Sequence, residues 1–155
     1  MTNKTIIIAE AGVNHNGDLN EAKKLIIAAK DVGADFVKFQ SFKADELVSK
    51  KALKSPYQIK NTRKKESLYE MLKNLTLSFP DLSILKEFAD KKGIKLISTP
   101  FDMSSADELE KLKVKIIKIS SGDITNLPLI SHVAKKKIPM IISTGRSNIK
   151  EVKEA

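Results

Sequence analysis

Ile116-Ile117-Lys118-Ile119-Ser120-Ser121-Gly122-Asp123 is a short apolar run that turns abruptly into hydroxyls, a glycine and an acid. Four other stretches share this construction: Ile6-Ile7-Ile8-Ala9-Glu10, Phe36-Val37-Lys38-Phe39-Gln40, Leu96-Ile97-Ser98-Thr99 and Met140-Ile141-Ile142-Ser143-Thr144. Apolar runs of this length, bounded by turn residues, read as buried strands. Amphipathic helical patterns lie between them, and a right-handed strand–helix–strand crossover makes the strands parallel. In a (β/α) barrel the reactive groups sit where the strands finish. The expected fold is therefore α/β, of the (β/α)8 barrel type, with five strand ends pointing at one shared site.

A complete barrel of this kind needs about 250 residues, and the sequence has 155. Either the fold is a smaller α/β one, or the chain is the front part of a barrel. Ser147-Asn148-Ile149-Lys150-Glu151-Val152 has the pattern of a helix start close to the last residue. That favours a partial barrel of about the first five β/α units.

The spacing predicts strands at about 5–9, 35–40, 95–98, 114–119 and 138–142. It predicts helices at about 19–32, 79–92, 105–112 and 127–136. Asp18 is the expected N-cap of the first helix and Gly33 its stop, with Ala22, Leu25, Ile26, Ala29 and Val32 on its apolar face. Ser78 and Asp81 have capping-box spacing, Leu82, Leu85 and Ala89 form the stripe of that helix, and Gly93 ends it. Between the second strand and this helix lies an interruption, about 41–77, with a short helix expected at 66–75. Loops of that size tend to be functional, and this one leaves from the active side of the fold. A surface excursion without a role is the alternative.

The formal charge of +9 comes almost wholly from lysine, since Arg63 and Arg146 are the only arginines. Bidentate reading of phosphate or guanine favours arginine. Base stacking favours aromatics, of which the chain has two tyrosines, six phenylalanines and no Trp. A nucleic-acid partner is therefore not expected; a lysine-rich surface and an anionic small substrate are. The absence of cysteine removes disulfides and thiolate metal sites. No apolar run approaches the roughly 20 residues that cross a bilayer, and Met1–Lys4 leads straight into the first strand without the pattern of a signal peptide. A cytoplasmic location away from membranes is expected.

Side chains alternate faces along a strand, so Lys38 shares a side with Gln40, and Lys118 with Ser120. A lysine pointing into a barrel floor is costly unless it meets an anion. Either each pairs with a nearby acid such as Glu10 or Asp123, or the two hold an anionic substrate; two such lysines favour the second. The turns Ser120-Ser121-Gly122-Asp123 and Ser143-Thr144-Gly145 supply backbone and hydroxyl donors suited to carboxylate or phosphate. His15, inside Glu10–Asp18, reads as a loop anchor rather than a metal ligand, and His132 as structural or exposed. The two histidines so placed assemble no metal site, and no P-loop, Ser-His-Asp order or GxGxxG is present.

Five ordered motifs resemble the sialic acid synthase family, which includes N-acetylneuraminate synthases and their legionaminic and pseudaminic acid and spore-coat polysaccharide relatives. They are Glu-Ala-Gly-Val-Asn-His-Asn-Gly-Asp at 10–18, Val-Lys-Phe-Gln at 37–40, Ser-Thr-Pro-Phe-Asp at 98–102, Lys-Ile-Ser-Ser-Gly-Asp at 118–123 and Ile-Ser-Thr-Gly at 142–145. The resemblance implies a (β/α)8 barrel followed by a small antifreeze-like domain, with residues 1–155 as the N-terminal portion of the barrel. It implies condensation of phosphoenolpyruvate with an N-acetylated amino sugar of the N-acetylmannosamine type, giving a nonulosonic acid and phosphate. It also implies a divalent metal (Mn or Mg) bound by later strands absent here, and a homodimeric parent.

Carried over by position, Lys38, Thr99, Lys118, Ser121 and Ser143 would hold the phosphoenolpyruvate carboxylate and phosphate. Glu10 and Gln40 would bind sugar hydroxyls, and Asp123, where many members carry Glu, would orient groups near the metal; Glu10 and Asp123 are the catalytic candidates. Arg146 stands where the family usually has an apolar residue, and Lys113-Val114-Lys115 where Gly-Val-Pro is common. With the metal ligands missing, the 155-residue chain by itself is expected to be inactive. Two other readings stay open: a non-catalytic anion-binding half-barrel, and a structural piece that self-associates through open sheet edges.

Overall fold

The five apolar runs form one parallel sheet: β1 (Ile8–Gly12), β2 (Phe36–Ser41), β3 (Lys95–Pro100), β4 (Ile117–Ile119) and β5 (Met140–Ile142), hydrogen-bonded in chain order. That order decides the architecture. A doubly wound sheet reverses direction at a switch point, whereas a singly wound one adds each strand beside the last, as a barrel does. This computed structural model describes residues 5–62 and 66–155. Met1–Lys4, Arg63, Lys64 and Lys65, and the expectations that touch them, lie outside the described residues.

The helices are α1 (Leu19–Asp31), α2 (Ala44–Leu47), α3 (Pro56–Thr62), α4 (Leu68–Leu75), α5 (Phe79–Lys91), α6 (Met103–Lys111), α7 (Leu127–Lys135) and α8 (Ile149–Glu154). α1 and α5 pack on one face of β1–β3, where Ala22, Ile26, Val37, Phe39, Leu82, Leu85 and Leu96 are buried together. A second cluster joins Ala106, Leu109, Ile117, Ile119, Leu129 and Val133 under α6 and α7. Each fully buried Leu or Ile here contributes on the order of 2 kcal/mol of transfer free energy. The opposite face of the sheet is left for Lys38, Gln40, Ile97, Thr99 and Lys118, because β2 alternates strictly and pairs in register with β3.

The caps follow the sequence. Asp18 Oδ1 accepts from the Asn20 and Glu21 N–H groups, Ser78 and Asp81 close a capping box on α5, and Asn148 and Glu151 close one on α8. Gly33 and Gly93 end their helices at φ of +79° and +70°.

β3 starts at Lys95, as expected, whereas the other four strands start later than expected. Residues 5–7 precede β1 because Ile7 is engaged by the turn before β2: its N–H donates to Asp35 Oδ2 at 2.9 Å, and Asp35 N–H donates to its carbonyl at 2.9 Å. Ile6 and Ile7 stay 61 % and 52 % exposed. β1 instead runs on to Gly12 through a register shift after Glu10. The stretch before β4 is shortened because Lys113 and Val114 N–H groups bond back to Glu110 and Leu109, extending the C-terminal turn of α6. Val32 is a second correction: as C-cap of α1 it has left the helical face and is 79 % exposed.

Among its described residues the 41–77 interruption holds three short helices rather than the one expected. Polar contacts tie α2 to α4 and α6: Tyr69 Oη donates to Asp45 at 2.9 Å, and Ser104 Oγ on α6 donates to Glu46 at 2.7 Å.

Candidate active site at the strand ends

β1 and β2 run parallel with Glu10 opposite Lys38, so alternation places both side chains on the helix-free face. Lys38 Nζ forms an ion pair with Glu10 Oε2, with the lysine side chain only 13 % exposed. Gly12 follows at φ +57°, and the space its missing Cβ leaves is occupied by Glu10 Oε1 and Gln40 Nε2, at 3.3 and 3.6 Å from where that Cβ would lie. Glycine is therefore required twice at this point: for the left-handed turn and for the convergence of the two polar side chains.

Gln40 is in register with Thr99, which is buried. Lys118, on the next strand, is half-buried. Its Nζ donates to the carbonyl of its own neighbour Ile119 at 2.6 Å, and it has no acidic partner among the described residues. Burial, and then the nearby Lys38 ammonium, hold its amine below the ordinary lysine range, against a smaller opposing effect of Glu10. The three charges therefore share one electrostatic neighbourhood. It contains two cations and one carboxylate, so an added anion is favoured there.

The expectation of an acid partner thus holds for Lys38 with Glu10 and does not hold for Lys118. The acid suggested for it, Asp123, turns elsewhere. Its N–H bonds to the Ser120 carbonyl at 3.0 Å, and its own carbonyl accepts from Asn126 N–H at 2.9 Å, which closes the turn leading into α7. Burial raises the Asp123 carboxyl above its usual value, partly offset by hydrogen bonds from the Ser120 and Asn126 side chains. A half-buried carboxyl whose charge is disfavoured by burial is a candidate to hold or pass a proton.

Ser143 stands just past β5, its N–H bonded to the Ile119 carbonyl at 3.1 Å. Ser121 faces a separate small cleft with Arg146. Glu10, Lys38, Gln40, Thr99 and Lys118 are thus brought together, while Ser121, Asp123 and Ser143 stand on the turns beside them.

His15 is a loop anchor, as its setting predicts. It is fully buried, its Nδ1 accepts the Gly17 N–H at 3.0 Å, and its ring lies 5.9 Å from that of Phe39. Burial lowers its pKa, so the ring is neutral with the proton on Nε2. His132 is structural too: Nε2 meets Asp107 Oδ1 at 2.6 Å, bridging α7 to α6.

Residue-level reasoning missed two supports of the site. Asp102 ends the Ser-Thr-Pro-Phe-Asp motif and caps α6 through Ser105 N–H, while its other oxygen accepts Lys43 N–H at 2.8 Å. Its spacing ahead of a helical pattern carried that signal. Ser41 and Ser98 share a 2.7 Å hydrogen bond beneath the sheet; only the register reveals it.

Comparison with known proteins gives the lineage of this site. Residues 25–155 match the model of the NeuB family. The chain belongs to the NeuB family. It is 56 % identical to the N,N'-diacetyllegionaminic acid synthase of Campylobacter jejuni, over 98 % of this chain and 46 % of that protein. It is 55 % identical to the synthase of the same name from Legionella pneumophila, over 96 % of this chain and 42 % of that one. Among solved structures, the N-acetylneuraminic acid synthetase of Leptospira borgpetersenii, crystallised with citrate, superposes with a TM-score of 0.81 at 29 % identity, covering 99 % of this chain and 52 % of that one.

The chain therefore spans about half the length of the relatives it matches, or less. Its fold is a partial TIM barrel of five β/α units, and its NeuB relatives are nonulosonic acid synthases. Among the described residues of this NeuB chain, no three His, Cys, Asp or Glu side chains are grouped to hold a metal ion. No helix is long and apolar enough to cross a membrane.

Proposed function

We propose that the full protein condenses phosphoenolpyruvate with an N-acetylated amino sugar to give a nonulosonic acid and inorganic phosphate. One observation supports this reading above the others: Lys118 is held near Lys38, without an acidic partner among the described residues, on the helix-free face at the strand ends. A half-buried ammonium whose charge is disfavoured is a cost to the empty protein. A bound carboxylate or phosphate removes that cost.

The roles are those that the family resemblance implies for these residues. Lys38 and Lys118, with Thr99, Ser121 and Ser143, hold the carboxylate and phosphate of phosphoenolpyruvate. Glu10 and Gln40, converging over Gly12, accept and donate to sugar hydroxyls. The methylene carbon of phosphoenolpyruvate attacks the sugar aldehyde, forming the carbon–carbon bond and an alkoxide that takes up a proton. Water then adds to the carbon bearing the phosphate, and the C–O bond to phosphate breaks. Asp123, its carboxyl raised by burial, orients that centre and passes the proton the water loses. Fixed lysine charges stabilise the anionic groups throughout without reorganising.

The divalent metal (Mn or Mg) implied by the resemblance finds no donor set among the described residues; its ligands are assigned to later strands of the full protein. Residues 1–155 are read as the N-terminal portion of the synthase barrel, with an antifreeze-like domain elsewhere in the parent. That parent is read as a cytoplasmic homodimer. The relatives' names favour an acceptor with two acetylated amino groups.

The test is phosphate release by the full-length protein, with phosphoenolpyruvate and a panel of N-acetylated amino sugars, the products followed by mass spectrometry. The product is expected to exceed the acceptor sugar by the mass of pyruvic acid, because phosphoenolpyruvate and water enter and phosphate leaves. Sugar-dependent phosphate release, lost in Lys118→Met, supports the reading. Saturable phosphoenolpyruvate binding with no turnover on any sugar would leave a non-catalytic anion binder instead.

A further inference from the structure

Beside the strand-end cluster lies a cleft of about 160 Å³ between the turns that follow β4 and β5. Ser121, Gly122, Thr125, Arg146, Ser147 and Glu151 are among its lining residues. Arg146 is exposed and has no ion-pair partner among the described residues. Its Nη1 lies 3.8 Å from where a Gly122 Cβ would stand, so the guanidinium rests against the tip of the Ser121–Gly122 turn. The one acid of the lining, Glu151, is already engaged: its Oε2 accepts the Asn148 N–H at 2.8 Å in the capping box of α8.

We propose that this cleft is a subsite for a phosphate-class oxyanion, with Arg146 as its principal contact and Ser121 and Thr125 as hydroxyl donors. A planar guanidinium offers paired N–H donors matched to phosphate oxygens. The hydroxyls of Ser121 and Thr125 make no hydrogen bond to other described residues, so both are available to an anion in the cleft. Gly122 keeps the turn free of a side chain where Arg146 crosses it. The subsite shares Ser121 with the donor-binding set proposed above and is distinguished from it by Arg146 and Thr125. Three sources share its chemistry: the phosphoryl group of the donor, a phosphate carried by an acceptor sugar, and free inorganic phosphate.

The experiment is calorimetric titration of the full-length protein with inorganic phosphate. The variants are Arg146→Met and Glu151→Gln, the second keeping the cap while removing the negative charge. Arg146→Met is expected to weaken phosphate binding about tenfold or more, the loss of one charge-assisted contact, with an unchanged melting temperature because the residue is exposed. Glu151→Gln is expected to tighten binding. Repeating the wild-type and Arg146→Met titrations with phosphoenolpyruvate already saturating, so that the strand-end lysines are occupied, separates the sources: loss of the Arg146-dependent phosphate signal assigns the cleft to the donor's phosphoryl group. A retained signal assigns it to a sugar phosphate or free phosphate. Wild-type protein that fails to bind phosphate at millimolar concentration, or an Arg146→Met variant that binds it equally well, overturns the proposal. Lys118→Met, which should weaken phosphoenolpyruvate binding at least a hundredfold, tests the separate reading of the strand-end cluster.

Discussion

Replacing Gly17 by alanine should do far more damage than the same change at Gly33, although the two glycines have nearly the same backbone. Their φ values are +78° and +79°. A non-glycine residue in this left-handed region costs roughly 1–2 kcal/mol, so that cost is common to both. The surroundings differ. Nothing lies within 4 Å of a Cβ placed at Gly33, whereas at Gly17 it would stand 2.3 Å from the Asn74 carbonyl oxygen at the C-terminal end of α4. Ordinary contact requires a retreat of about 1 Å by main chain rather than by a flexible side chain, and overpacking of that kind costs roughly 1–3 kcal/mol more.

The segment that must yield is the one that carries the interruption between β2 and α5, packed against the Glu10–Asp18 loop. Gly33→Ala should therefore lower stability by about 1–2 kcal/mol with no effect on ligand binding. Gly17→Ala should lower it by about 2–5 kcal/mol and speed amide exchange in α4. Denaturant unfolding of the full-length variants gives the first comparison, and hydrogen exchange by mass spectrometry gives the second. Equal destabilisation by the two substitutions, with α4 protection unchanged, would refute the reasoning.

Lys118→Met should stabilise the ligand-free protein at neutral pH while weakening phosphoenolpyruvate binding at least a hundredfold. The amine is held below its unfolded value, so its contribution to stability is highest above the ordinary lysine range and falls as pH drops through the lowered pKa; thermal melts over pH 7–11 check the sign. Asp107→Asn should loosen α7 on α6 by up to about 1 kcal/mol at neutral pH, because the carboxylate is partly exposed and screened. Its pKa is lowered, first by Lys136 and then by His132, so that stability is present above the usual carboxylate range and lost as pH falls through the lowered value. Wild type and variant should converge in strong acid. His15→Phe should remove the Gly17 N–H acceptor and cost about 1–3 kcal/mol. It should also flatten the acid side of the stability profile, since a buried neutral histidine with a lowered pKa loses its contribution as pH falls through that value.

Most of the framework was legible from local chemistry. Alternation in Phe36–Ser41 put Lys38 and Gln40 on one face before any neighbour was known, because the period of a strand is a property of its own backbone. Asp18, Ser78, Gly33 and Gly93 marked helix ends correctly for a similar reason: capping and left-handed stops are satisfied within a few residues. Strand starts were less legible. Ile7 has the composition of a strand residue, yet its backbone is claimed by Asp35, 28 residues away. Val32 fits the helical period of α1 but lies one residue past its end.

The sequence by itself determined the alternating α/β order, the polar strand ends and the residue types gathered there. Those features depend on interactions within a few residues of one another. Tertiary structure alone decided that Lys38 has Glu10 as its partner while Lys118 has no acidic partner among the described residues, and that Gly17 meets Asn74. It alone brought Arg146 against the Ser121–Gly122 turn. These are contacts between segments that only sheet register and loop packing bring together, and register is fixed by the burial of the whole face rather than by any one strand.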